Sequence, residues 1–162
     1  MAELTVLEAK LAEVIGLAQA AQGTGEKVSG LLEDNDLKRE LDQMRKEAEE
    51  TERRGTQLAE DLDGKKTAVL EKARETKQEA TEMMRTYLGE DADGLDGFEF
   101  LTMAEAGEVG HWEVLGVLGQ KAGKSDVQTL VDWAVPIQQR HFQEAREGSV
   151  QIAAEEDPNQ PA

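Results

Sequence analysis

What most constrains this chain is a series of long segments with apolar residues at three- and four-residue spacing and almost no helix breakers inside them. Only three prolines occur, and two of them, Pro158 and Pro161, lie in the last five residues. Apolar side chains that recur with a 3.6-residue period mark the buried face of an amphipathic helix. Residues 3–22 carry Leu4, Leu7, Leu11, Val14, Ile15 and Ala18 on such a face, and Gly23-Thr24-Gly25 is expected to end it. Residues 31–62 repeat the pattern with Leu37, Leu41, Met44, Ala48, Thr51, Leu58 and Leu62 opposite a Glu/Lys/Arg face, up to a break at Asp63-Gly64. Residues 65–88 form a third helix on Val69, Ala73, Thr76, Ala80, Met83 and Tyr87. The polar, Gly-rich stretch 89–97 reads as a connecting loop, since it lacks the acid spacing of a calcium loop. Residues 98–121 are apolar on more than one side and end at Ala122-Gly123. Ser125 and Asp126 are expected to cap a fifth helix reaching residue 155, kinked at Pro136.

The predicted fold class is therefore all-α: four helices in an antiparallel bundle and one additional helix, the third, spanning the long connection between two helical pairs. An aromatic content of 4% suits Leu- and Ala-based helix packing better than a β-sandwich. At 162 residues the chain reads as one domain, residues 1–156, followed by a disordered tail, residues 157–162.

Charge and cysteine content remove several functions. With 35 acids against 18 bases the formal charge is −17, which repels phosphate backbones and anionic lipids, so neither nucleic acid nor membrane is an expected partner. The absence of cysteine excludes disulfides, thiolate catalysis, zinc–thiolate sites and iron–sulfur clusters. Any metal would have to be held by oxygen and imidazole nitrogen. The first residues lack the basic start and apolar run of a signal peptide, and no apolar stretch has the length of a membrane span, so a cytoplasmic location is expected.

A helical wheel then separates acids that face the core from solvated ones. His141 falls near the centre of the stripe Val127, Leu130, Ala134, Ile137, Ala145 and Ile152, with Gln138 toward its edge. A lone histidine there is ordinarily a neutral core side chain satisfied by one hydrogen bond. The fourth helix changes that reading, because Glu105 and Glu108 both fall in the stripe of Leu101, Trp112 and Leu115. Burying two carboxylates costs several kcal/mol each unless a cation, a proton or an arginine compensates. Glu108-Val109-Gly110-His111 places a carboxylate and an imidazole one turn apart, within reach of one ion. Glu8 and Glu47 lie on the shoulders of the first and second stripes, whereas Glu50 points outward on an ideal wheel. Carboxylates with imidazole and no sulfur form the ligand set of non-haem iron or manganese in a bundle core.

LEAKLAEVI at 7–15, EAEETERRGTQLAEDLDGKK at 47–66, EVGHWEVLGVLG at 108–119 and QQRHFQEA at 138–145 together resemble the ferritin-like superfamily, specifically the YciF-like bacterial stress-associated proteins. The resemblance implies a ferritin-like bundle and a stress-related role in handling metal, oxygen or peroxide. It also implies an iron or manganese site drawn from Glu8, Glu47 (or Glu50 if the second helix is rotated), Glu108, His111 and His141; Glu105 joins them from its wheel position as a bridging or supporting candidate, and Gln138 as a supporting donor. The chain departs from that pattern with Glu47 where the family places a histidine, Gly110 before His111, and Gln138 rather than Glu ahead of His141. A neutral Gln138 leaves less charge than a full dinuclear centre requires.

The alternative is a metal-free bundle or coiled-coil interaction protein with a vestigial site. In it Glu105 and Glu108 would lie at a dimer interface or against arginines such as Arg140. A homodimer is expected in either case, through apolar residues of the fourth helix such as Met103, Val114 and Leu118. A hydrolase is the weakest reading, because no nucleophile–histidine–acid arrangement can be argued.

Overall fold

The computed structural model describes residues 2–161. Each helix starts where a side chain can satisfy free backbone N–H groups or where the preceding turn leaves no choice. Helix α1 (Val6–Ser29) opens on a capping box in which Thr5 accepts from the Glu8 amide and Glu8 accepts from the Thr5 amide. Helix α2 (Asn35–Glu60) is capped by Asp34, which accepts from the amides of Asp36 and Leu37. Helix α3 (Lys66–Tyr87) follows a short turn in which Gly64 takes a left-handed φ of 69°. Helix α4 (Gly94–Lys121) starts on a second capping box, Asp93 with Asp96, and ends ahead of Gly123 at φ 64°. Helix α5 (Ser125–Glu155) runs through Pro136.

Three sequence expectations are corrected here. Helix α1 does not stop at Gly23-Thr24-Gly25 but continues to Ser29, because Thr24 and Gly25 are buried and Gly25 lies beside Leu41 and Arg45 of α2. Packing outweighs the roughly 1 kcal/mol that a glycine costs inside a helix. The stretch 89–97 is not all loop, because its acids form the α4 cap and Gly97 rests on Val28, where a Cβ would sit only 2.9 Å from a valine methyl. Ser125 and Asp126 do not cap α5 from outside; Lys124 occupies that position without a side-chain bond, and Asp126 accepts from the Val127 amide.

The contacts fix the directions of the helices. Gly55 packs on Ile15 and Gly25 beside Leu41, so α1 and α2 are antiparallel. Gly97 meets Val28 while His111 reaches Glu13, so α4 is antiparallel to α1, and Gly148 lies on Phe98, so α5 is antiparallel to α4. Helices α1, α2, α5 and α4 thus pack in a ring, and α3 lies outside it, mainly against α1. Gly16 lets α3 approach closely, since a Cβ there would run into the carbonyl of Ala73. The third helix carries the chain back along α1, as the long connection required.

Two apolar clusters fill the ring. One holds Leu11, Ile15, Val69, Trp112, Leu115 and Val127; the other holds Val28, Leu37, Leu41, Met44, Phe98 and Leu101. The two are separated by a polar layer. No helix among the described residues is long and apolar enough to cross a membrane.

Candidate functional site

The polar layer comes from consecutive turns of three helices. Between Leu101 and Trp112 α4 supplies Glu105 and Glu108; between Ala134 and Ala145 α5 supplies Gln138 and His141; α2 adds Glu47 and Thr51 between Met44 and Leu58. Four of these side chains are almost wholly buried: Glu105 (3% exposed), Glu108 (6%), Gln138 (3%) and His141 (2%). Helix α1 brings only Ala18, Ala20 and Thr24 as buried residues to the same level.

The layer is a chain of hydrogen bonds rather than a cage. Gln138 Nε2 donates to Glu105 Oε2 at 3.1 Å and to Glu108 Oε2 at 3.0 Å. His141 bridges the other way, with Nδ1 3.7 Å from Glu105 Oε2 and Nε2 3.4 Å from Glu47 Oε1. Arg140, half-exposed, closes the chain by pairing with Glu47 and with Glu144. Burial, and then the charge of Glu105, push the Glu108 carboxyl well above the usual carboxylate range. Burial would lower the His141 pKa, but the carboxylates of Glu105 and Glu47 outweigh it and raise it. For Glu47 burial acts upward, yet Arg140 and His141 bring its carboxyl below the ordinary value.

The remaining predicted site residues lie elsewhere. Glu8 sits ten residues before Ala18, about 15 Å along the helix axis, and is bound to Thr5 and to Lys65 Nζ at 2.8 Å. Burial raises its pKa, but Lys65 and Thr5 prevail and lower it. His111 is not part of the layer: Nδ1 donates to the Gly107 carbonyl at 2.8 Å, while Nε2 stands 3.7 Å from Glu13. Glu50 is exposed between Arg53 and Arg54, which lower its pKa to about 2, so Glu47 is the second-helix acid that reaches the layer. Arg140 pairs with Glu47 rather than with Glu105 or Glu108. Sequence reasoning missed the Gln19 and Gln22 amides, which both donate to Glu52 across the α1–α2 contact. Their signal was spacing, since the two glutamines stand one turn apart at the level opposite Glu52.

A metal centre needs at least three donors aimed at one point. Among the described residues no group of three or more histidine, aspartate and glutamate side chains is placed to hold an ion. The physical reasons are visible in the layer. His141 offers its two nitrogens to opposite sides, α1 contributes no carboxylate there, and a Gln138 N–H group occupies the position between Glu105 and Glu108. The side chains as arranged do not fit an iron or manganese centre. No family profile, no curated protein and no solved structure matches the chain.

Proposed function

We propose that this chain is a non-catalytic, metal-free helical bundle that works by binding, its ferritin-like ligand positions turned into a polar layer joined by its own hydrogen bonds. The observation that carries this reading is the Gln138 amide, whose nitrogen bonds both buried carboxylates at 3.0–3.1 Å. Part of the compensation that the buried acids demand is supplied by the protein itself, through the neutral Gln138 donor and the raised Glu108 pKa, with Arg140 on the third acid. The up-down-down-up path of α1, α2, α4 and α5, with α3 as the return, is the arrangement of a ferritin-like bundle and supports that kinship.

One observation favours a second reading, an iron or manganese protein related to stress. Glu105, Glu108, Gln138 and His141 come from adjacent turns of two facing helices, where bundle metal centres carry their ligands. That reading requires Gln138 to present its oxygen instead of its nitrogen to the carboxylates.

Metal content after reconstitution with Fe(II) or Mn(II), compared with a His141→Ala variant, separates the two. No stoichiometric metal in either protein is the expected result. One or two ions per chain in the parent, lost in the variant, would overturn the metal-free reading.

A further inference from the structure

Helices α3 and α4 both rest on α1, and Tyr87 of α3 meets the Phe100 ring of α4. Between them lies a cavity of about 290 Å³. Its walls are apolar: Leu17 and Ala21 of α1, Ala80 and Met83 of α3, and Leu101 and Ala104 of α4. Met83 and Met103 stand exposed at its rim. The cavity explains why the predicted α3 stripe fails in its second half. Val69, Ala73 and Thr76 are buried, Ala73 and Thr76 against Gly16 of α1, whereas Met83 emerges at the cavity rim and Tyr87 is half-exposed beside Phe100.

The polar groups of this cavity are unusual for an apolar pocket. Glu105 and Glu108, each more than nine-tenths buried, both line it. Gln138 bonds only Oε2 of each acid, and Oε1 of each accepts no hydrogen bond from the described residues. Neither acid is paired with a lysine or arginine among those residues. By contrast Glu8, Glu13, Glu47 and Glu50 all have one within reach. The cavity therefore combines an apolar body, with His111 also in its lining, and two carboxylates that no lysine or arginine neutralises, His141 standing 3.7 Å from Glu105.

We propose that this cavity binds a small amphipathic amine, its ammonium group hydrogen-bonded between Glu105 and Glu108 and its apolar body against Leu17, Ala21, Ala80 and Met83. An ammonium supplies three donors and one positive charge, which is what the two free oxygens and their mutual repulsion call for. An anion is repelled, and a neutral apolar molecule would displace water from both oxygens without replacing its hydrogen bonds. The volume admits a six-membered ring with a short aminoalkyl arm. This inference rests on the metal-free reading of the layer and names the ligand class for it.

Titration calorimetry on the full chain tests it, with cyclohexylmethylamine, the neutral isostere cyclohexylmethanol and cyclohexanecarboxylate as probes. The amine is expected to bind about tenfold or more tightly than the alcohol, and the carboxylate not at all. Glu105→Gln and Glu108→Gln should each bring the amine down to the level of the alcohol. Ala21→Phe, which fills the cavity and leaves both acids in place, should abolish binding of amine and alcohol alike. Equal affinity for amine and alcohol, no amine binding to the parent chain, or amine binding unaffected by Ala21→Phe would each overturn the proposal. Metal content is measured on the same samples. A metal-free chain that ignores the amine defeats this proposal alone, whereas a metal-loaded chain defeats the reading beneath it.

Discussion

Glu105 and Glu108 in the middle of the bundle, and Glu8 at its end, are the same residue type on helices of the same ring, and they are stabilised in opposite ways. Glu8 sits near bulk solvent, completes a helix cap and meets a lysine, so it is held as an anion. Glu105 and Glu108 face a neutral amide, an imidazole and each other, and the Glu108 carboxyl is pushed toward its protonated form. Depth decides the outcome, because a charge near water needs only a modest partner whereas a buried one needs either full compensation or a proton.

The largest test of this contrast is Gln138→Leu. It removes the one side chain that donates to both buried carboxylates and fills the space with hydrocarbon. Leaving buried charge uncompensated costs about 3–5 kcal/mol. Urea unfolding should show a loss of that size, with a similar dependence on denaturant. A loss below about 1 kcal/mol, the ordinary effect of a point substitution, would mean that the layer does not depend on the amide.

How much of this layer could be read beforehand differs by helix. The acids of α4 and the His141 of α5 were legible, because Leu101, Trp112 and Leu115, or Ala134 and Ala145, bracket them at helical spacing. Glu8 was misplaced because a wheel reports direction around the axis and carries no information on level along it. Level is set by interhelix register, and the contacts of Gly55 with Ile15 and of Gly97 with Val28 that fix it are tertiary facts. The glycines misled for a related reason. Gly25 and Gly97 read as breakers in isolation, yet inside the bundle each lets a neighbouring helix approach. Periodicity was enough to show that the third segment would be a helix, whereas its place outside the four was an expectation from the long connection between two helical pairs. The cavity it leaves beside α4 depends on where α3 diverges, and nothing in its stripe marks that point.

A smaller effect is expected from Glu108→Gln, read as stability against pH. The Glu108 pKa is raised in the folded chain, so above its ordinary value of 4.5 the folded state binds more protons than the unfolded one. Its contribution is complete below 4.5 and is lost as pH rises through the folded value. His141 acts in the same direction, since its folded pKa lies above 6.5 and its imidazolium contribution fades as pH rises through that raised value. Thermal or urea unfolding of the parent should therefore weaken on the alkaline side. Glu108→Gln keeps an acceptor for Gln138 and cannot ionise, so its curve should be flatter. The gain at the alkaline end is on the order of 1–2 kcal/mol, that of relieving one poorly compensated buried group. Parallel curves for parent and variant would place the proton elsewhere.

The smallest effect, and the one of opposite sign, belongs to Glu8→Gln. The Glu8 pKa is lowered in the folded chain, so its contribution is present above 4.5 and is lost as pH falls through the depressed value. Gln keeps an oxygen that can accept from the Thr5 amide but gives up the charge that attracts Lys65 and the positive end of α1. The pair lies close to solvent, which screens it, so the loss near neutral pH is about 0.5 kcal/mol. It should shrink further in high salt and vanish in acid. If Glu8→Gln instead cost as much as Gln138→Leu, depth would not be what separates the two kinds of acid. The end of α1 would then be as demanding an electrostatic environment as the centre of the bundle.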